Sequence, residues 1–89
     1  MSKRGVSVEF FFAAGCSKCA EARDTLREAA QSTSAVEWQE IDVAKNPKRA
    51  VDAGVVSTPA VAIDGELVFK TMPTASGLRS AIRARAQKG

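Results

Sequence analysis

Val6-Ser7-Val8-Glu9-Phe10-Phe11-Phe12-Ala13-Ala14-Gly15-Cys16-Ser17-Lys18-Cys19 passes from an almost continuous apolar run, through a small-residue turn, into helix-forming composition. Val6–Phe12 is rich in β-branched and aromatic residues, as a central strand covered on both faces requires. Ala13-Ala14-Gly15 lets the chain turn tightly. From Ser17 to about Gln31 the composition is mostly Ala, Glu, Arg and Leu, all good helix formers. Cys19, Ala22, Leu26 and Ala29/Ala30 recur at three- and four-residue steps, which predicts one narrow buried stripe. A strand that feeds straight into a helix opens a β-α-β unit, and two cysteines sit at the junction.

Working outward, Gln31–Ser34 is a polar break. Val36–Val43 then reads as a strand, with Val36, Trp38 and Glu40 on one side and Ile41 and Val43 out of phase. That phase change predicts an irregularity near Glu40. Asn46-Pro47 predicts a helix start, Asn accepting from free N–H groups and Pro sitting where no donor is needed. This short helix ends near Ala53, with Gly54 as its stop. Ala60–Ile63 and Leu67–Lys70 flank Asp64-Gly65, a strong hairpin signal. Thr74 or Ser76 caps a last helix through about Ala86, burying Leu78 and Ile82 and leaving Arg79, Arg83 and Arg85 in solvent. The order β-α-β-α-β-β-α predicts an α/β three-layer sandwich on one four-stranded mixed sheet.

At 89 residues, the chain forms one domain, 1–89, because neither half could bury a core alone. Apolar residues at 45% and charged residues at 26% are the composition of a soluble globular domain. No apolar run approaches the roughly 20 residues of a spanning helix, so no membrane partner is expected. The absence of histidine excludes imidazole bases, Cys-His dyads and His-ligated metals. Net charge is +3, mostly from the termini (Lys3, Arg4, Arg79, Arg83, Arg85, Lys88), with too few aromatics for a nucleic-acid surface. Lys3, Arg4 and the apolar run up to Ala13-Ala14-Gly15-Cys16 imitate an export signal. Glu9 interrupts it, and its removal would delete the first strand, so a cytoplasmic protein is expected.

Cys16 and Cys19 are too few and too close for a stapling framework. Cys16 falls at the helix cap, where free N–H groups and the helix dipole favour a thiolate. Lys18 adds a nearby, exposed positive charge. One helical turn brings the sulfurs within bonding reach, so Cys16 can attack a disulfide and Cys19 can resolve the product. Two other readings stand beside this one. The cysteines could be buried apolar packing, or two chains could share four thiolates around a metal; one C-x-x-C supplies only two ligands.

The sequence resembles the thioredoxin-fold superfamily, in particular its small thioredoxin-like and glutaredoxin-like proteins, over nearly the whole chain. Val8–Cys19 is similar to the family's first strand and active-site turn. Glu40-Ile41-Asp42-Val43 with Asn46-Pro47 resembles the glutaredoxin-like end of the second strand. Val56-Ser57-Thr58-Pro59-Ala60 with Asp64-Gly65 resembles the cis-proline loop and its hairpin. The resemblance implies that Pro59 is cis beside the active-site disulfide, and that Thr58 pairs its backbone with an extended substrate chain by strand addition.

Departures from the family pattern are equally specific. Gly15 replaces the usual Trp, and Ser17-Lys18 replaces Gly-Pro. The family's buried Asp, six residues before the first Cys, is Phe10 here. Glu9 is read as an ordinary strand-edge or capping carboxylate; with a shifted loop it could instead replace that Asp. Thr71-Met72-Pro73-Thr74 replaces the residues that hold glutathione in glutaredoxins. Trp38 is read as packing. The expected function is a monomeric dithiol–disulfide oxidoreductase that needs no cofactor or metal. It would reduce protein disulfides and draw electrons from a separate disulfide reductase or glutathione. The alternatives are glutaredoxin-like deglutathionylation and a non-catalytic thiol, metal-binding or partner-docking module.

Overall fold

The computed structural model describes residues 5–33, 35–71 and 73–88. Lys3, Arg4, Ser34, Met72 and the side chain of Lys88, named above, lie outside the described residues. The elements are β1 (Val6–Phe12), α1 (Ser17–Gln31), β2 (Val36–Asp42), α2 (Pro47–Ala53), β3 (Ala60–Ile63), β4 (Glu66–Phe69) and α3 (Ala75–Lys88). They build one four-stranded sheet in the order β2-β1-β3-β4. β1 runs parallel to β2 and antiparallel to β3, which pairs antiparallel with β4. The mixed sheet is the one expected.

Side-chain alternation along β1 divides the interior into two cores. Val6, Val8 and Phe10 face α1 and α3, where Cys19, Leu26, Ala30, Leu78 and Ile82 meet Val61 and Ile63 of β3. Phe11 points the other way, against Ala60, Ala62 and Ala50 of α2. The first core carries most of the large buried side chains; the second buries Phe11 and three alanines inside a margin of half-buried Ile41, Val43, Val55 and Leu67, so α2 is the more lightly held layer. Glu9 sits on the α2 face, 2% exposed, and accepts hydrogen bonds from Arg49 of α2, Nε lying 2.7 Å from Oε2.

Three local expectations are corrected. The β1–β2 register runs unbroken from Val6↔Val36 to Phe12↔Asp42, and the irregularity falls instead between Val61 and Ala62 of the hairpin. The phase change in β2 marks a change of covered face. Glu40 ends the α1-facing row, holding the indole N–H of Trp38 at 2.9 Å, while Ile41 packs on the α2 core. Asn46 does not cap α2 with its side chain; its Nδ2 donates 3.1 Å back to the Asp42 carbonyl. The Asp42 carboxylate organises that turn by accepting from Ala44 N–H at 2.9 Å, which draws Asn46 back into the loop. Arg85 does not stand free in solvent. It reaches Glu66 at 2.5 Å and Asp64 at 3.9 Å, tying α3 to the hairpin.

The remaining terminators agree with the sequence. Gly54 closes α2 in the left-handed region (φ 87°). Asp64 and Gly65 both have positive φ, 51° and 85°, as a two-residue hairpin turn demands. Thr74 rather than Ser76 caps α3, its Oγ1 accepting from Gly77 N–H at 2.9 Å. β4 begins at Glu66, one step earlier than expected, because the turn is only Asp64-Gly65.

Candidate active site

β1 ends at Phe12, and Gly15 turns the chain in the left-handed region (φ 81°). Space does not require glycine here, since an added Cβ would meet nothing within 4 Å; the backbone angle does. The Cys16 N–H donates 3.2 Å to the Ala13 carbonyl, closing the turn. Cys16 is then the N-cap of α1 with extended backbone (φ −84°, ψ 101°). Its Sγ accepts the Cys19 N–H at 3.1 Å, the place a Ser or Asp oxygen usually takes. Cys16 and Cys19 are joined in a disulfide across a Cα–Cα distance of 5.3 Å.

The surroundings of the two sulfurs differ. Cys19 is 4% exposed and belongs to the main core with Phe10, Leu26 and Leu78. Cys16 is half-buried and packs only against the margin of that core. Lys18 is exposed and has no ion-pair partner among the described residues.

The Thr58–Pro59 peptide bond is cis, and Pro59 is buried. The antiparallel register Phe11↔Ala60 places the residues before Ala60 level with those after Phe11. The Thr58-Pro59 loop and the Cys16 turn therefore lie at the same end of neighbouring strands. On the α2 side of the Thr58 loop lies a depression of about 230 Å³, running from Ala13 across Val43, Ala50 and Val55 to Val56 and Thr58, with Val56 87% exposed. A second, of about 170 Å³, lies against the disulfide itself, bordered by Phe12, Ala14, Cys16, Cys19, Ala20 and Arg23.

Glu9 is not part of this arrangement. The cysteines pack on the Phe10 face of β1, and Glu9, one residue earlier, points to the opposite face. It neither lies on a strand edge nor caps a helix, and it does not replace the family's Asp beside the cysteines. The Glu9 hydrogen bond, the largest influence, raises Arg49 above its already high value despite some opposing desolvation, so this guanidinium stays charged. Trp38 stacks on Phe10 at 5.7 Å between ring centroids, the packing role expected of it. Arg49 and Arg23 were not singled out from sequence. Arg49 is 40 residues from Glu9, with no local signal; Arg23 stands one helical turn after Cys19, a spacing that could have revealed it.

Among the described residues no group of three or more His, Cys, Asp or Glu gathers as a metal site, and no helix is long and apolar enough to cross a membrane.

Comparison with known proteins identifies the family. Residues 6–83 match the model of the thioredoxin domain. A thioredoxin of Methanocaldococcus jannaschii is 35% identical over 86 residues, covering 96% of this chain and 99% of that one. A protein disulfide oxidoreductase of Aeropyrum pernix superposes with a TM-score of 0.77 at 28% identity, covering 98% of this chain and 40% of that one. A mutant thioredoxin of Halobacterium salinarum shares the fold, with a TM-score of 0.77 at 24% identity over 93% of this chain and 76% of its own. With the disulfide, the helix cap and the cis-proline loop in this order, the chain belongs to the thioredoxin domain family and is a thiol–disulfide oxidoreductase.

Proposed function

We propose that the protein reduces disulfide bonds in other proteins, with Cys16 attacking and Cys19 resolving. The observation that carries this reading is the asymmetry of the pair. Cys16 accepts a backbone N–H at the helix N-terminus and is half-buried, whereas Cys19 is 4% exposed in the core. A helix N-terminus favours the charged form of a thiol placed there, and the thiolate is the nucleophile. In the reduced protein, Cys16 attacks one sulfur of the target and displaces the other as a thiolate, which takes a proton from water. Cys19 then gives up its proton and attacks the Cys16 sulfur, releasing the second target thiol. Two electrons leave the dithiol, and the protein is left as the disulfide found here.

The target chain lies extended across Cys16, with the Thr58 backbone pairing to it; Pro59 offers no N–H to the approaching thiolate. Electrons return from a separate disulfide reductase or from glutathione. A cytoplasmic location fits a redox pair at C-x-x-C spacing in place of a structural disulfide framework.

The test is reduction of insulin with a dithiol donor, run beside the Cys19→Ser variant. The reading expects turnover by the unaltered protein, and a Cys16-linked mixed disulfide trapped on the variant. No turnover and no trapped species would overturn it. Replacing the dithiol by glutathione alone, or by a disulfide reductase with its own reductant, identifies the donor.

A further inference from the structure

The depression against the disulfide contains a charge that exchange at sulfur does not use. It is lined by the apolar Phe12, Ala14 and Ala20 and by both cysteines of the disulfide. Among the described residues, Arg23 is the one charged residue on its border. The fold makes little use of this guanidinium. Its contact with Asp24 is 3.5 Å from Nε alone, between adjacent helix residues that do not face one another, and the Asp24 oxygen is taken at 3.1 Å by Arg27. The Arg23 side chain is 46% exposed, beside a reactive disulfide. The volume, about 170 Å³, exceeds that of an engineered apolar cavity known to admit benzene, so one side chain up to ring size fits.

We infer that this depression selects the substrate: it receives an apolar side chain adjacent to the target cysteine, and Arg23 binds a carboxylate that follows. The occupant is an acidic, partly apolar peptide segment carrying the disulfide. This rests on the disulfide-reductase reading above and adds the class of sequence reduced. The segment crosses Cys16 with its backbone toward Thr58 on one side and its apolar side chain toward Phe12 on the other. Arg23 is a specificity residue, because it touches the substrate away from the exchanging sulfurs. The chemistry is the exchange already balanced: two electrons and two protons pass from the dithiol to the peptide disulfide, giving two peptide thiols.

The experiment is single-turnover reduction of symmetric peptide disulfides by the reduced protein. The peptides place Leu-Glu or Leu-Lys beside the cysteine, on its N-terminal or C-terminal side. Reduction of acidic peptides should be about fivefold faster at low salt on at least one side, the size of an exposed but oriented ion pair. The preference should shrink toward unity at about 0.5 M salt. Arg23→Gln should abolish it and Arg23→Glu should reverse it. Arg83→Glu, the same charge change on an exposed residue of α3, should preserve it. A ratio near one in the unaltered protein, or equal loss in Arg23→Glu and Arg83→Glu, overturns the inference while leaving the reductase reading intact. Failure to reduce any of the peptides and insulin overturns both.

Discussion

Cys16 holds its sulfur over the first turn of α1, 3.1 Å from the Cys19 N–H, and is half-open to solvent. Cys19 has 4% of its surface left and apolar neighbours. Apolar burial favours the neutral thiol, while a helix N-terminus favours the thiolate, so the two effects separate the cysteines in the same direction. Iodoacetamide at neutral pH, followed by peptide mass spectrometry, should label Cys16 of the reduced protein at least on the order of tenfold faster than Cys19. Equal labelling would remove the assignment of attacking and resolving roles. Lys18 is exposed, and water screens its charge. Lys18→Glu should therefore slow Cys16 labelling by less than about fivefold. At this scale the site was largely legible, because a cysteine between a strand and a helix has its environment set by local geometry. Glu9 was not legible. Its sequence neighbours are Val8 and Phe10, and its partner arrives from α2 only once the sheet is built.

Helix α2 shows how an element can be visible in sequence while its attachment is not. Pro47 and Gly54 bound it as their backbone preferences require. Its buried residue is Ala50, which meets Phe11 and two alanines of β3 inside a margin of half-buried Ile41, Val43, Val55 and Leu67. The apolar contact is small and partly solvent-exposed, and the Arg49–Glu9 pair adds a polar tie across the same face, whose loss would strand a buried carboxylate. Glu9 is 2% exposed, and its Oε1 has no hydrogen-bond partner among the described residues, whereas the Arg49 side chain is 47% exposed. Breaking a buried pair costs about 3–5 kcal/mol, and the exposure of the arginine reduces this through solvent screening. Arg49→Ala should lower stability by about 1–3 kcal/mol in urea denaturation and speed hydrogen exchange in α2 before the rest of the sheet. Glu9→Met combined with Arg49→Leu should recover most of that loss, because no charge is then stranded. If Arg49→Ala leaves both readouts unchanged, the pair does not hold α2. The Asn46 cap and the supposed irregularity near Glu40 failed for a related reason. Both were local readings of residues whose hydrogen bonds are decided by Asp42, and by which face of an edge strand is covered.

For the whole molecule, the disulfide and the fold are linked through one thermodynamic cycle: any stability lost on reduction is also the extra strength of the disulfide in the folded state. Two effects of opposite sign set that difference. Closing a four-residue loop restricts the unfolded chain by about 2 kcal/mol, by loop-entropy arithmetic for a sequence separation of 3. Against this, reduction frees a thiolate at the N-terminus of α1, which the helix favours by roughly 0.3–1 kcal/mol. Loop closure is the larger. The oxidised protein should therefore be more stable than the reduced one by about 1 kcal/mol, a shift of roughly 4–8 °C in melting temperature for a domain of this size. The fold itself should persist on reduction, because the core around Phe10, Leu26, Leu78 and Ile82 does not depend on the sulfur–sulfur bond. Urea denaturation with and without a dithiol, followed by far-ultraviolet circular dichroism, measures the difference directly. The sign bears on the direction of electron flow. A folded state that strengthens its own disulfide, here by about 20 mV, makes the dithiol a better reductant, as the proposed reduction of protein disulfides requires. A reduced form more stable than the oxidised one would place the protein with thiol oxidants, and the helix terminus, not the loop, would then dominate the pair.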